Sequence, residues 1–346
     1  KNKIKLLRIP IHKEYQRNYI FRTISELKMP FSFYFSLMKS KYKKFKPDLV
    51  VWYSPSIFFG ILILLLKIRY KFHAYLILRD IFPEWANDLG LIKKSLPYYF
   101  FKFIANLQYF AANTIGVQSK SNIKYVKRWI DDKCRSIEVL ENWQSKTTFV
   151  KKCRIQISKT KLKGRKIFCY LGNMGVAQSM DFMIDLAEKM KNYDNVGFLF
   201  VGRGSEWERL RKKIIKKDLK NVLIYKEIDS DQIDDLTKQC HYGLIALDPR
   251  HTSHNIPGKF LTYIQNGLPV LARLNANTDL EEIIKRYKIG YSYNGYDVEE
   301  FQNLAERLLN LSNSNSSQLS KSCLNLAKKH YSTSIAVDKI LKSVKN

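Results

Sequence analysis

Phe168-Cys169-Tyr170-Leu171-Gly172-Asn173-Met174-Gly175 is an apolar run that stops at a glycine turn, and a helical stretch over 179–191 follows it. The run closes a strand expected over 166–171. A short buried strand, a tight turn and a helix form the repeating unit of parallel α/β architecture, because parallel strands need a crossover between them. The same signals recur on both sides of this stretch. Downstream, strands are expected at 197–201, 222–225, 242–245 and 269–272, with helices between. Upstream, strands are expected at 4–9, 49–53, 73–78, 114–117 and 136–140, and helices at 31–44, 57–68, 98–111 and 121–129. The polar stretch 143–165 separates the two series. It predicts a first α/β domain over 1–142, a linker, a second domain over 166–330, and a C-terminal helix in 331–346 that packs back on the first. The opening strand has no glycine-rich turn into a helix. At least one more βα unit, needing about 30 residues, is therefore expected ahead of Lys1.

Composition narrows the classes of function. The chain has 346 residues, 45% of them hydrophobic and 26% charged, enough for two cores and too apolar for disorder. Cys134, Cys153, Cys169, Cys240 and Cys323 are scattered without CxxC or zinc spacing, which fits reduced thiols in the cytoplasm. No secretory leader is seen, and no apolar run reaches the length of a spanning helix; 57–66, followed by Lys67 and Arg69, reads as a buried helix in preference to an interfacial segment. The net charge is +29, with 27 basic and 10 acidic residues in 1–150. Such a field attracts polyanions, whether nucleic acid, anionic lipid or a diphosphate. Charge alone does not choose among them.

Two further motifs accompany the first glycine turn. Phe198-Leu199-Phe200-Val201-Gly202-Arg203-Gly204 is a second strand ending in glycines, with a cation placed to meet phosphate. His251-Thr252-Ser253-His254-Asn255-Ile256-Pro257-Gly258-Lys259-Phe260 is a polar loop running into a helix over 259–265 and then Gly267. Pro257 suits the first turn of a helix, while Gly258 and Lys259 put free amides and a cation at its N-terminus. Ligands of open α/β sheets bind at the carboxyl ends of strands, so the three motifs belong to one crevice. Each glycine turn taken singly also fits an ordinary strand-to-helix connection. His251 and His254 have no compact set of companion ligands, so no metal is expected.

Together these residues resemble the GT-B glycosyltransferases of family 4. There a Gly-x-x-Gly turn, a Val-Gly-x-Gly turn and a Pro-Ser-Lys…Glu-Tyr…Gly-x-Pro-Val helix and strand form the donor site. The last appears here as Pro257-Gly258-Lys259-Phe260-Leu261-Thr262-Tyr263 and Gly267-Leu268-Pro269-Val270. Leu78-Arg79-Asp80-Ile81-Phe82-Pro83-Glu84-Trp85 and Gly116-Val117-Gln118-Ser119 are similar to members that build bacterial O-antigen, lipopolysaccharide and capsular polysaccharide. Leu140-Glu141-Asn142-Trp143, with Phe149 beyond, resembles the hinge into the donor domain. The run His254–Phe260 is similar to that of N-acetyl-L-fucosamine transferases.

The resemblance implies two Rossmann-like parallel-sheet domains facing a cleft, and transfer of a sugar from a UDP-sugar, with retention and without metal or cofactor. It implies donor binding by Gly172, Asn173, Gly175, Gly202, Gly204, Asn255, Pro257, Gly258, Lys259 and Thr262, with Arg203 and Lys259 stabilising the departing diphosphate. There are two departures. Thr262 stands where the family carries the ribose-binding carboxylate, and Val176-Ala177-Gln178-Ser179 stands where an Arg and a Lys are usual. The implied acceptor is a polyprenyl-diphosphate-linked saccharide on the anionic inner face of the cytoplasmic membrane, with the enzyme bound peripherally. Aromatics at Phe31, Phe33, Tyr34 and Phe35 serve either that interface or a helix core.

On the acceptor side, Asp80 follows an expected strand and should face the cleft, as a proton acceptor, a sugar ligand or a helix cap. Glu84 suits a first helical turn, and Ser119 ends another strand and could bond a substrate. Two other functions compete. A UDP-sugar 2-epimerase shares the fold but needs paired acids and histidines that are not evident. A nucleic-acid-binding protein fits the charge but leaves the glycine turns without a use, and no zinc-knuckle, RRM-like or helix-turn-helix signal is present.

Overall fold

The fold is that of a computed structural model describing residues 4–10, 19–54, 56–88, 90–127, 135–145, 150–249, 256–276 and 278–344. The chain divides into two compact units, Lys1–Leu140 with Asp338–Asn346, and Glu141–Val337.

The first unit carries a parallel sheet in the order β1-β2-β3-β4, formed by β1 (Leu49–Tyr53), β2 (His73–Leu78), β3 (Thr114–Val117) and β4 (Ser136–Val139). Its helices are α1 (Tyr19–Lys39), α2 (Phe59–Arg69), α3 (Glu84–Asp88), α4 (Leu96–Ala111) and α5 (Lys120–Val126). The inner strands β2 and β3 are buried almost throughout, whereas β1 and β4 are half-exposed. Central parallel strands are covered on both faces, which is why they read as unbroken apolar runs. Two expectations are corrected. Residues 4–10 form no strand: Ile4 is 95% exposed, and β1 ends the sheet among the described residues, so no ladder partner satisfies their backbone. The first helix begins at Tyr19 and carries Pro30 inside it, although a proline ordinarily marks a boundary. Met29 is buried there and Phe33 packs edge-on against Phe59 of α2, so packing holds the helix through the proline.

The second unit has a six-stranded parallel sheet in the order β10-β9-β8-β5-β6-β7. Its strands are β5 (Lys166–Leu171), β6 (Val196–Gly202), β7 (Val222–Lys226), β8 (Tyr242–Ala246), β9 (Val270–Arg273) and β10 (Gly290–Tyr293). Its helices are α6 (Asp181–Lys189), α7 (Trp207–Lys216), α8 (Ile233–Thr237), α9 (Gly258–Gln265), α10 (Asp279–Tyr287), α11 (Val298–Leu309) and α12 (Asn313–His330), and α13 (Thr333–Lys342) runs across the boundary between units. Alternation along the strands sorts the core into two layers. Ile167, Cys169, Leu171, Leu199 and Val201 point to one layer with Phe260 and Ile284; Phe168, Tyr170, Phe198 and Phe200 point to the other with Met183 and Phe301. Each such side chain, fully buried, stabilises by about 1.5–3 kcal/mol. The polar stretch 143–165 is not bare chain: Cys153, Ile155, Ile157 and Leu162 join the first of these layers.

The strand order reverses between β5 and β8, the doubly wound arrangement that opens a crevice at the carboxyl ends of those two strands.

Candidate functional site

The crevice has a visible cause. β5 pairs with β6 from Lys166↔Val196 through Leu171↔Val201, but with β8 only at Phe168↔Tyr242 and Cys169↔Gly243. Beyond that point the strands part, and the Leu171 N–H donates to the buried Tyr263 hydroxyl of α9 at 2.9 Å. The Tyr263 ring fits because residue 243 is glycine: a Cβ there would stand 2.4 Å from the ring. A phenol thus takes the place of the missing strand neighbour.

Two glycine turns close over the end of β5. Gly172 holds φ +137°, a region that side chains disfavour, and its N–H donates to the Val201 carbonyl at 2.9 Å. Gly202 lies so close that a Cβ on it would sit 1.8 Å from the Gly172 carbonyl oxygen. Met174 N–H donates to the Arg203 carbonyl at 2.6 Å, next to Gly204, so the turns after β5 and β6 are clasped together. Asn173 and the Gly175 N–H both donate to Gln178 Oε1, at 3.1 and 3.0 Å, fixing the rest of the loop.

Opposite stands the N-terminus of α9. Pro257 is its N-cap with no side-chain cap bond, and among the described residues nothing lies within 4 Å of where a Gly258 Cβ would be. The first turn of a helix leaves backbone donors unpaired and carries partial positive charge. Lys259 runs past Gly172, its Cε 3.3 Å from the place of a Gly172 Cβ. Its ammonium donates to the Tyr170 hydroxyl at 2.8 Å and lies 4.1 Å from the centroid of that ring. Tyr170 in turn donates to the Asn173 carbonyl. Among the described residues no carboxylate pairs with Lys259. Burial pushes its ammonium down to about 7. Desolvation is the cause, and no positive neighbour contributes.

These groups line a cavity of 630 Å³. Gly172, Asn173, Gly258, Lys259 and Thr262 line it, and Val201, Ile228, Ile233 and Leu247 give the lining an apolar wall. Asn275, 2% exposed, also reaches it. Arg203 lines the cavity too, but in a different state from Lys259: its guanidinium is 78% exposed and pairs with Glu227 at 3.3 Å. Thr262 Oγ1 lies 3.5 Å from Gln144 Oε1, donating to it. Gly175 and Gly204 sit in the clasped turns and are not among the lining residues. Asn255, with His251 and His254, and Asn277 lie outside the described residues. Sequence reasoning missed Tyr170, Tyr263 and Asn275 as parts of this site. The first two look like ordinary core aromatics until the register shows what their hydroxyls meet.

In the first unit, Asp80 follows β2 with an exposed surface, yet desolvation raises its carboxyl above the ordinary value. Tyr53, at the end of the neighbouring β1, is 52% exposed and has its hydroxyl raised by desolvation and then by the Asp80 charge. Arg79 turns away, donating to the Leu140 carbonyl at 2.6 Å. Glu84 is 2% exposed and pairs with Lys102 inside the unit, so its charge is spent on the interior rather than offered at the surface. Ser119 is buried and its hydroxyl accepts the Asn122 N–H at 3.4 Å, the geometry of a cap on α5.

Known proteins resemble this chain in sequence or in fold. The sequence profile of the glycosyl transferases group 1 family matches residues 153–329. A probable glycosyltransferase, WbjE of Pseudomonas aeruginosa, is 21% identical over 285 residues, covering 81% of this chain and 70% of that protein. Among solved structures, sucrose-phosphate synthase of Thermosynechococcus elongatus superposes with a TM-score of 0.75 at 13% identity, covering 98% of this chain and 82% of that one. HepE of Anabaena, solved in complex with UDP-glucose, gives 0.66 at 14% identity, covering 86% and 78%. TarM of S. aureus, solved with UDP, gives 0.58 at 17% identity, and this chain spans 53% of its length. The shared architecture is the GT-B fold.

Proposed function

This chain belongs to the glycosyl transferases group 1 family, and from that premise we propose that it moves a sugar from a UDP-sugar to a lipid-linked saccharide. The observation that carries the donor half is Lys259, a cation without a carboxylate partner among the described residues, set at a helix N-terminus against the Gly172 turn. Free amides, a helix dipole and an uncompensated ammonium make an anion site, and a nucleoside diphosphate supplies the matching charge. The apolar wall of Val201, Ile228, Ile233 and Leu247 suits the face of a base. Thr262 would hydrogen-bond the ribose, and Asn173 and Asn275 would meet phosphate or sugar hydroxyls.

Chemistry follows from where charge develops. As the anomeric carbon–oxygen bond breaks, negative charge grows on the departing diphosphate, and the Lys259 ammonium and the α9 amides stabilise it where it forms. Arg203 would exchange Glu227 for phosphate. The acceptor hydroxyl forms the new glycosidic bond and loses its proton; Asp80, with its carboxyl raised, is the proposed acceptor-side base. Retention without metal or cofactor is part of the proposal. So are an N-acetylated deoxyhexosamine such as N-acetyl-L-fucosamine as the sugar, a polyprenyl-diphosphate saccharide of O-antigen or capsule synthesis as the acceptor, and the inner membrane face as the place.

The test is a thermal-shift and calorimetric screen of UDP and UDP-sugars against the chain and Lys259→Met. Stabilisation by UDP that Lys259→Met loses is expected. If no nucleoside diphosphate binds, or if the variant binds as well as the parent, the donor assignment is wrong. Sugar turnover without any acceptor would favour the epimerase instead.

A further inference from the structure

α4 presents an unusual outer face. Its exposed positions include Leu96 (83%), Tyr99 (59%), Phe103 (60%) and Phe110 (63%), three, four and seven residues apart along the helix. That spacing draws one stripe, about 21 Å long at 1.5 Å per residue. Asn106 also lies exposed on it, between Phe103 and Phe110, and is polar but uncharged. The opposite face is conventional: Tyr98, Ile104, Ala105 and Tyr109 are buried, and α4 packs there on α2. Lys102 is the one charged side chain in the helix, and it is turned inward to Glu84. No exposed residue of α4 therefore carries a charge, and apart from Asn106 all of them, Pro97 and Phe100 included, are apolar or aromatic.

The ends of the stripe are cationic. Lys93 and Lys94 stand exposed just before Leu96. At the other end the Arg135 guanidinium lies 4.9 Å from the Phe110 ring centroid and donates to the Phe110 carbonyl at 3.4 Å. Lys67, held by Asn113 at 2.9 Å, is close enough to Arg135 for its own ammonium to be lowered by desolvation and then by that charge.

We propose that this face of α4 lies in the surface of an anionic lipid bilayer, aromatics among the acyl boundary and cations on the headgroups. No described helix is long and apolar enough to cross a membrane, so the helix rests in the plane. At that shallow depth water stays within reach of the Asn106 amide, which a fully dry contact would leave at a cost. The sign of the flanking charge selects this occupant over a second copy. Parallel or antiparallel, two such helices laid face to face bring cation against cation at both ends, whereas phosphate headgroups neutralise all of them. The inference deepens the proposal of a lipid-borne acceptor and rests on it for the identity of the surface, but it is independent of the donor site.

Flotation with phosphatidylcholine vesicles, with and without phosphatidylglycerol, tests it on the chain as it stands. Binding to the anionic vesicles is expected, with a loss of at least about tenfold in partitioning for Phe103→Ser/Phe110→Ser. For Lys93→Gln/Lys94→Gln the preference for anionic over neutral vesicles should shrink. Both substituted pairs are exposed, so an unchanged UDP thermal shift reports an intact fold and separates the two proposals: UDP binding without flotation sinks the membrane face alone, and flotation without UDP binding sinks the donor site alone. Equal flotation of Phe103→Ser/Phe110→Ser overturns the inference. So does a lipid-free dimer that this variant dissociates, which would make the occupant a second copy.

Discussion

Affinity for a UDP-sugar should fall as pH rises through 7, because the anion site depends on a lysine whose ammonium is held down to about 7 by burial. The diphosphate of a UDP-sugar keeps its charge across this range, so the lysine is the titrating partner. A bound diphosphate favours the charged amine and raises its pKa. Binding is thus strongest below the free-protein value and weakens above it, as a proton must be taken up first. With a value of about 7, the charged fraction drops from about nine-tenths at pH 6 to about one-tenth at pH 8, a tenfold loss of affinity worth about 1.4 kcal/mol. Isothermal titration in buffers of differing ionisation enthalpy reads both quantities, and at pH 8 it should show uptake of about 0.9 proton per ligand. Lys259→Arg should flatten the curve, since a guanidinium stays charged throughout. Lys259→Met should weaken binding about 10- to 100-fold at pH 6, the worth of a charge-assisted hydrogen bond. An affinity constant from pH 6 to pH 9, with no proton uptake, would refute the claim that Lys259 waits half-neutral for its anion.

Three other outcomes follow from the packing. Tyr263→Phe leaves the Leu171 N–H buried without its acceptor; a cost of about 1–3 kcal/mol should lower the melting temperature by roughly 2–8 °C, and an unchanged melting curve would show that water replaces the phenol. Gly202→Ala pushes a methyl into the Gly172 carbonyl, 1.8 Å away, whereas Gly258→Ala meets no described residue. The first should depress both melting temperature and UDP binding, and the second should leave stability equal or raise it by about 0.5–1 kcal/mol. Glu84→Leu strands the Lys102 ammonium inside the first unit; urea unfolding should register a loss of about 3–5 kcal/mol, largely recovered when Lys102→Met is added.

Much of this fold can be read from periodicity because its inner strands are buried on both faces. β1, β2, β3 and β5 begin and end where the apolar runs do. The failures have physical reasons. β10, Gly290-Tyr291-Ser292-Tyr293, escaped notice because a half-exposed edge strand carries no apolar run. Residues 4–10 are apolar enough to suggest a strand but pair with no strand among the described residues. α1 passes through Pro30 because tertiary contacts outweigh local preference. At the candidate site, the α9 start and both glycine turns are local signals and were visible. The partners were not. That Arg203 meets Glu227 while Lys259 meets, among the described residues, a tyrosine and no acid depends on residues 24 and 89 positions away.

Helix α9 touches β5 twice, one turn apart: Lys259 reaches Tyr170, and Tyr263 takes the N–H of Leu171. The helix that brings the cation is thereby stitched to the strand that ends in the Gly172 turn. The two halves of the anion site cannot drift independently, and their spacing is set during folding rather than on ligand arrival. An incoming diphosphate then need not draw the α9 start and the Gly172 turn together. Sequence changes that tune donor affinity would accordingly fall on the lining side chains, while changes in the Tyr263–Gly243 contact would be felt as a looser site for every donor alike.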